Sequence, residues 1–190
     1  MQELTKNLLD WFKRKADELK ISRVALGISG GKDSTVVAGL GVAVFGKDNV
    51  FGLSMPNGVQ SDIADAVRVI EHLGIHSATV NIKTAFDGIA DQVSGFNDSD
   101  VAKTNLPARL RMAALYAYAQ TNDALVLNTC NLSEDCVGYA TLFGDSCGSL
   151  APISHLTTEE VMAVGDDLGS TMGNIIAASY KLMVAIQPDA

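Results

Sequence analysis

Val24-Ala25-Leu26-Gly27-Ile28-Ser29-Gly30-Gly31-Lys32-Asp33-Ser34-Thr35 joins an apolar run to a glycine-rich turn, and Val36, Val37, Leu40 and Val44 follow at helical spacing. The run predicts a strand, the turn a tight loop and the spacing a helix. Gly30 and Gly31 permit positive φ and a close ligand approach. Asp33 or Ser34 is placed to cap the helix. A helix start offers unpaired N–H groups and a partial positive charge, which favour an anion. Lys32 adds a full positive charge, and Asp33 adds a carboxylate suited to a metal beside that anion. The local chemistry is that of a phosphate cradle with a metal attached. It is not the Gly-x-x-x-x-Gly-Lys P-loop, because position 26 is Leu and Asp33 follows the lysine. Nor is it Gly-x-Gly-x-x-Gly, because Ser29 stands two residues after Gly27.

Working outward, residues 3–20 read as an amphipathic helix, with Leu4, Leu8, Leu9, Trp11, Phe12, Ala16 and Leu19 at helical spacing. The first strand is expected over Ile21–Ile28, and the helix after the glycine loop runs to about Phe45. Val50–Met55 is a second strand, ended by Pro56-Asn57-Gly58. Ser61 or Asp62 starts a helix carrying Ile63, Ala66, Val67, Ile70 and Leu73, which Gly74 ends. Ser77–Ile82 reads as a third strand and 84–92 as helix. Ser94–Asp100 is a polar loop and by composition the least ordered part of the chain. Helix resumes near Val101 or after Pro107 and runs to about Thr121. Ala124–Leu127 is a fourth strand, ending at Asn128-Thr129-Cys130-Asn131. Strands alternating with helices predict an α/β fold: three layers, with a Rossmann-like doubly wound parallel sheet. Ligands of such sheets bind beyond the carboxyl ends of the strands, so the loops at Gly30 and Thr129 are expected to share a cleft.

At 190 residues the chain suits one domain spanning 1–190. A hydrophobic content of 47% and a charged content of 19% are those of a globular protein. The net charge of -8 argues against a nucleic-acid surface. No signal-peptide layout or membrane-length apolar run is present. Three cysteines fit reduced cytoplasmic thiols better than a disulfide framework. His72 and His76 have helical ligand spacing, but Gly74 separates them, so zinc is not expected.

Asn131-Leu132-Ser133-Glu134 reads by itself as a helix cap with a first-turn acid. Beside a triphosphate already served by Asp33, Glu134 becomes a second carboxylate, and magnesium needs only one or two. The Ser29–Ser34 run resembles the PP-loop of ATP pyrophosphatases, which share an adenine nucleotide alpha hydrolase-like fold. With Arg109-Leu110-Arg111-Met112, Asn128 to Glu134 and Gly138 to Asp145, the order is similar to that of ammonia-dependent NAD synthetases. Pro152-Ile153-x-x-Leu156 continues it.

That resemblance implies a ligase of NAD biosynthesis. The nicotinate carboxylate of deamido-NAD would attack the α-phosphate of ATP, pyrophosphate would leave, and ammonia would convert the adenylate to the amide with loss of AMP. Gly27, Ile28, Ser29, Gly30, Gly31, Lys32, Asp33 and Ser34 would hold the phosphates, with Lys32 and Asp33 as catalytic residues. Asp33 and Glu134 would hold Mg2+, and Thr129 would touch ATP. Arg109 and Arg111, one of which faces the cleft, would bind deamido-NAD by bidentate geometry. The resemblance also implies a cytoplasmic homodimer. No glutaminase pattern is present, so free ammonia or a separate donor supplies the nitrogen.

The chain departs from the family pattern at Leu142 and Thr158, where basic residues are common, and at Ser149, where an Asp is common. After Leu168-Gly169 a substrate loop is missing, and Tyr180, Lys181 and Leu182 faintly match a later family helix. These departures keep two alternatives open. One is another PP-loop adenylating enzyme, and the other is a shortened, non-catalytic nucleotide-binding homologue.

Overall fold

The computed structural model describes residues 2–59 and 63–171. The expected cap at Ser61 or Asp62 and the segment with Tyr180, Lys181 and Leu182 lie outside the described residues. The order of elements is α1 (Glu3–Leu19), β1 (Val24–Gly27), α2 (Lys32–Phe45), β2 (Val50–Ser54), α3 (Ile63–Leu73) and β3 (His76–Thr79). Then come α4 (Lys83–Ala90), α5 (Asp100–Thr121), β4 (Leu125–Val126), α6 (Leu132–Val137) and α7 (Thr158–Thr171).

The four strands are parallel and lie in the order β3-β2-β1-β4. β1 is central: Val24 sits opposite Val50 on one side and Leu125 on the other. Both of its faces are covered, which is why its sequence is an unbroken apolar run. Val24, Leu26 and Ile28 turn to one side, against Leu8 and Phe12 of α1, Val36 and Leu40 of α2, Ile70 of α3 and Val164 of α7. Ala25, with Phe51 and Leu53 of β2, turns to the other side, against Leu115 and Ala119 of α5. The architecture is the three-layer, doubly wound α/β sheet. The chain winds from β1 outward to β3, then returns across β1 to β4. That reversal puts the topological switch point between β1 and β4, where doubly wound sheets bind ligands.

Several local expectations are corrected. The first strand is shorter than Ile21–Ile28 because Lys20 adopts the left-handed region and the Ile21 amide closes the end of α1 on the Ala16 carbonyl. The third strand ends at Thr79 because Asn81 turns the chain, its Oδ1 accepting from the amides of Gly58 and Lys83. The two proposed starts of the next helix resolve into one helix from Asp100, with Pro107 inside it and Ser99 capping it through the Ala102 amide. Ser94–Asp100 is not an open polar loop: Phe96 is buried and packs edge-on against Phe86. Neither Asp33 nor Ser34 caps α2; the cap position is Gly31, and both residues stand in the first turn.

Candidate functional site

The loop after β1 is braced from within. Ser29 Oγ accepts from the Gly31 amide at 3.1 Å and lies 3.1 Å from Ser34 Oγ. Ser34 Oγ and Thr35 Oγ1 donate to the Gly31 carbonyl at 3.1 and 2.9 Å. These bonds fix the loop while the first-turn amides of α2 point out of the helix start. Gly30 has φ +85°, and a Cβ there would come within 2.8 Å of Asp65 Cβ and 2.9 Å of the Ala66 nitrogen. The loop therefore rests directly on the first turns of α3, a fit open only to glycine.

The loop after β4 meets it through Asn131, which is completely buried. Its Nδ2 donates to Asp33 Oδ1, its Oδ1 accepts from the Glu134 amide, and its own amide donates to Glu134 Oε2, each at 3.1 Å. The capping box expected of an ordinary helix start is therefore present. The same residue also joins the two carboxylates to one frame, Asp33 through its side-chain amide and Glu134 through its backbone amide. Lys32 Nζ lies 3.2 Å from Asp33 Oδ2.

Asp33 and Glu134 line a cavity of about 150 Å3 together with Ser29, Thr129, Tyr139 and Asp145. A larger cavity of about 410 Å3 adjoins it, walled by Gly27, Ile28, Met55, Arg111, Met112 and Cys147 among others. Ser29, Ser34, Thr129 and Asp145 belong to both walls. Of the two arginines, Arg111 lines the larger cavity, its Nε donating to the Met55 carbonyl at 2.9 Å. Arg109 lines neither cavity and instead donates from Nε to the Leu142 carbonyl at 3.2 Å. Gly27, Ile28, Ser29 and Ser34 are at the larger cavity, and Gly31, Asp33, Thr129 and Glu134 at the smaller one. Gly30 and Lys32 complete the loop without lining either.

Burial raises the Glu134 carboxyl above its ordinary range, and the Asp33 charge adds to this; the Asn131 amide and Lys32 act the other way. Two carboxylates held together against repulsion make a hard-oxygen donor pair. That pair would suit magnesium, an ion that takes few protein carboxylates and completes its shell with water or phosphate oxygens. Among the described residues no group of three or more His, Cys, Asp or Glu is arranged to hold a metal unaided. Burial also pushes the Cys130 thiol up to about 11.

The sequence reading missed Asn131 as the link between the carboxylates, although the Asn-x-x-Glu spacing marked it as a cap. The glycine-punctuated run Gly138–Asp145 reads from sequence as shaping a substrate pocket, but Asp145 was given no role of its own, and the structure puts it on the wall of both cavities. Asn128 was missed too. Its buried side chain accepts from the Cys130 amide and donates to the carbonyls of Asp145 and Cys147.

The profile of a family described as NAD synthase matches residues 4–177. An NH(3)-dependent NAD(+) synthetase of Thermococcus sibiricus is 38% identical over 162 residues, 85% of this chain and 63% of that protein. That of Pyrococcus furiosus is 37% identical over 168 residues, 88% of this chain and 63% of that protein. The chain thus spans somewhat under two thirds of the length of these relatives. Among solved structures, an NH3-dependent NAD synthetase of Campylobacter jejuni superposes with a TM-score of 0.81 at 33% identity, covering 88% of this chain and 73% of that one. An NMN synthetase of Francisella tularensis superposes at 0.80 with 34% identity, covering 92% and 72%.

Proposed function

The chain belongs to the NAD synthase family, and from that premise we propose that it is a ligase of NAD biosynthesis, using ATP and ammonia to amidate the nicotinate carboxylate of deamido-NAD. The observation that carries this reading is the convergence at the switch point. A glycine loop at a helix start, two bridged carboxylates and a larger cavity share one wall.

The roles follow from charge and position. Ser29–Ser34 holds the phosphates with backbone amides and Lys32, which stabilise the departing pyrophosphate. Asp33 and Glu134 hold Mg2+, which when bound screens the phosphate charge. Thr129, on the wall between the cavities, contacts the nucleotide near the reacting phosphate. Arg111 binds the deamido-NAD side of the complex, and Arg109 supports the rim through Leu142. Asp145, on both walls, accepts a proton from the attacking ammonia. Alignment and charge neutralisation carry the rate, with no covalent enzyme intermediate. No helix among the described residues is long and apolar enough to cross a membrane, and we place the enzyme in the cytoplasm on its reduced-thiol composition. We also propose a homodimer and a single domain. α5 buries two residues of its 22, leaving Leu106 and Leu110 half-buried for a second copy.

The test is pyrophosphate release from MgATP with and without deamido-NAD, followed by ammonia. Release that requires deamido-NAD, with NAD formed, supports the reading. ATP binding without release overturns it in favour of a non-catalytic homologue. The likeness to an NMN synthetase favours one second reading, with the mononucleotide as substrate; nicotinate mononucleotide in the same assay decides between the two.

A further inference from the structure

One face of α5 carries Asn105, Ala108 and Arg109, three and four residues apart, and the loop from Thr141 to Asp145 is seated on it. The seat is tight: a Cβ at Gly144 would come within 3.0 Å of Ala108 Cβ. Arg109 holds the Leu142 carbonyl at 3.2 Å. Thr141, itself buried, uses both ends of its structure. Its hydroxyl donates to Asn105 Oδ1 at 2.9 Å, and its amide donates to Asp145 Oδ1 at 2.6 Å. Its carbonyl accepts from the Gly144 amide at 2.8 Å and from Ser146 Oγ at 3.1 Å. One oxygen of an exposed carboxylate at the boundary of both cavities is thus fixed by an amide whose own residue is anchored on a helix.

We propose that Asn105 is a positioning residue for Asp145, acting through Thr141. This inference rests on the reading of Asp145 as the group that meets ammonia. Without the Asn105 acceptor the Thr141 hydroxyl loses its anchor, its amide drifts, and the Asp145 carboxylate rotates away from the shared wall. ATP contacts, which come from the loop after β1 and from Thr129, stay as they are.

The experiment uses the full chain and two readouts. The first is the Thr141 amide in proton–nitrogen NMR, strongly downfield and slow to exchange while bonded to a carboxylate. The second is the steady-state KM for ammonia beside that for ATP. Asn105→Ala is expected to release the amide and raise the ammonia KM about tenfold with the ATP KM unchanged. Thr141→Val, which keeps the amide and removes the hydroxyl, repeats the effect, and Thr141→Ser restores wild-type behaviour; this pair decides the matter if Asn105→Ala fails to fold. Adding Asn105→Ala to Asp145→Asn costs nothing further. An unchanged Thr141 amide in both Asn105→Ala and Thr141→Val overturns the proposal, as does a parallel rise in both KM values. A wild-type chain that forms no amide product overturns the amidation reading instead, and the Thr141 amide then decides the positioning claim by itself.

Discussion

Asn131 is one residue on which the stability of α6 and the proposed chemistry both depend. It caps α6 and holds Asp33 and Glu134 in one frame. Asn131→Ala is expected to lower stability by about 1 kcal/mol through the lost cap. It should also weaken magnesium-dependent nucleotide binding about 10–100-fold, the usual cost of removing a partner that orients metal ligands. Denaturant unfolding and calorimetry with MgATP measure the two effects separately. Glu134 gives a signed pH prediction. Its carboxyl is raised in the folded protein, first by burial and then by Asp33. The ionised form therefore costs the metal-free fold stability at neutral pH, and the cost lifts as pH falls through the raised value. Glu134→Gln keeps an acceptor for the Asn131 amide and removes the charge. The metal-free variant is expected to be more stable than wild type at neutral pH, with the difference vanishing on acidification. A difference that grows as pH falls would contradict this. The acid at 134 was visible in the sequence, but not its coupling to Asp33, which lies about a hundred positions earlier and is brought to it by the buried Asn131.

At the scale of elements, the strand–loop–helix from Val24 to Phe45 was legible because every local signal agreed. The apolar run, the paired glycines and the helical spacing all point to one geometry. The start of α5 was ambiguous because Pro107 usually argues for a boundary; the Ser99 cap and packing on the sheet override it. The segment around Phe96 misled by composition, since one buried aromatic orders a polar stretch. Nor could spacing show that the β1 loop rests on α3, because that contact crosses elements. It is the basis of a further expectation. Gly30→Ala must place a Cβ 2.8 Å from Asp65 at a φ of +85°. Left-handed strain and the clash together are expected to lower stability by about 1–3 kcal/mol. Displacement of the loop should abolish nucleotide binding in the folded fraction. Wild-type MgATP affinity in a folded Gly30→Ala chain would show that the loop has another seat.

The whole molecule carries a net charge of -8, and its cleft sets Asp33, Glu134 and Asp145 around one small cavity. A triphosphate entering there meets carboxylates as well as Lys32 and the helix start. On the proposed reading, free ATP is expected to be a poor ligand and its magnesium complex a good one, because a divalent ion would convert the two bridged carboxylates from repulsion to attraction. The cleft also joins the loop after β1 to the loop after β4, across the point where the winding reverses, so a ligand there binds the folded state alone. At a free concentration of about 100 times Kd such a ligand adds about 2.7 kcal/mol. For a chain of this size that corresponds to a melting temperature rise of about 5–10 °C. MgATP is expected to give this shift, ATP with a chelator a much smaller one, and Asp33→Asn to remove most of the difference between them. Equal shifts from ATP with and without magnesium would mean that Asp33 and Glu134 are bridged for structure and hold no metal. The phosphate cradle would then act through Lys32 and the helix start alone.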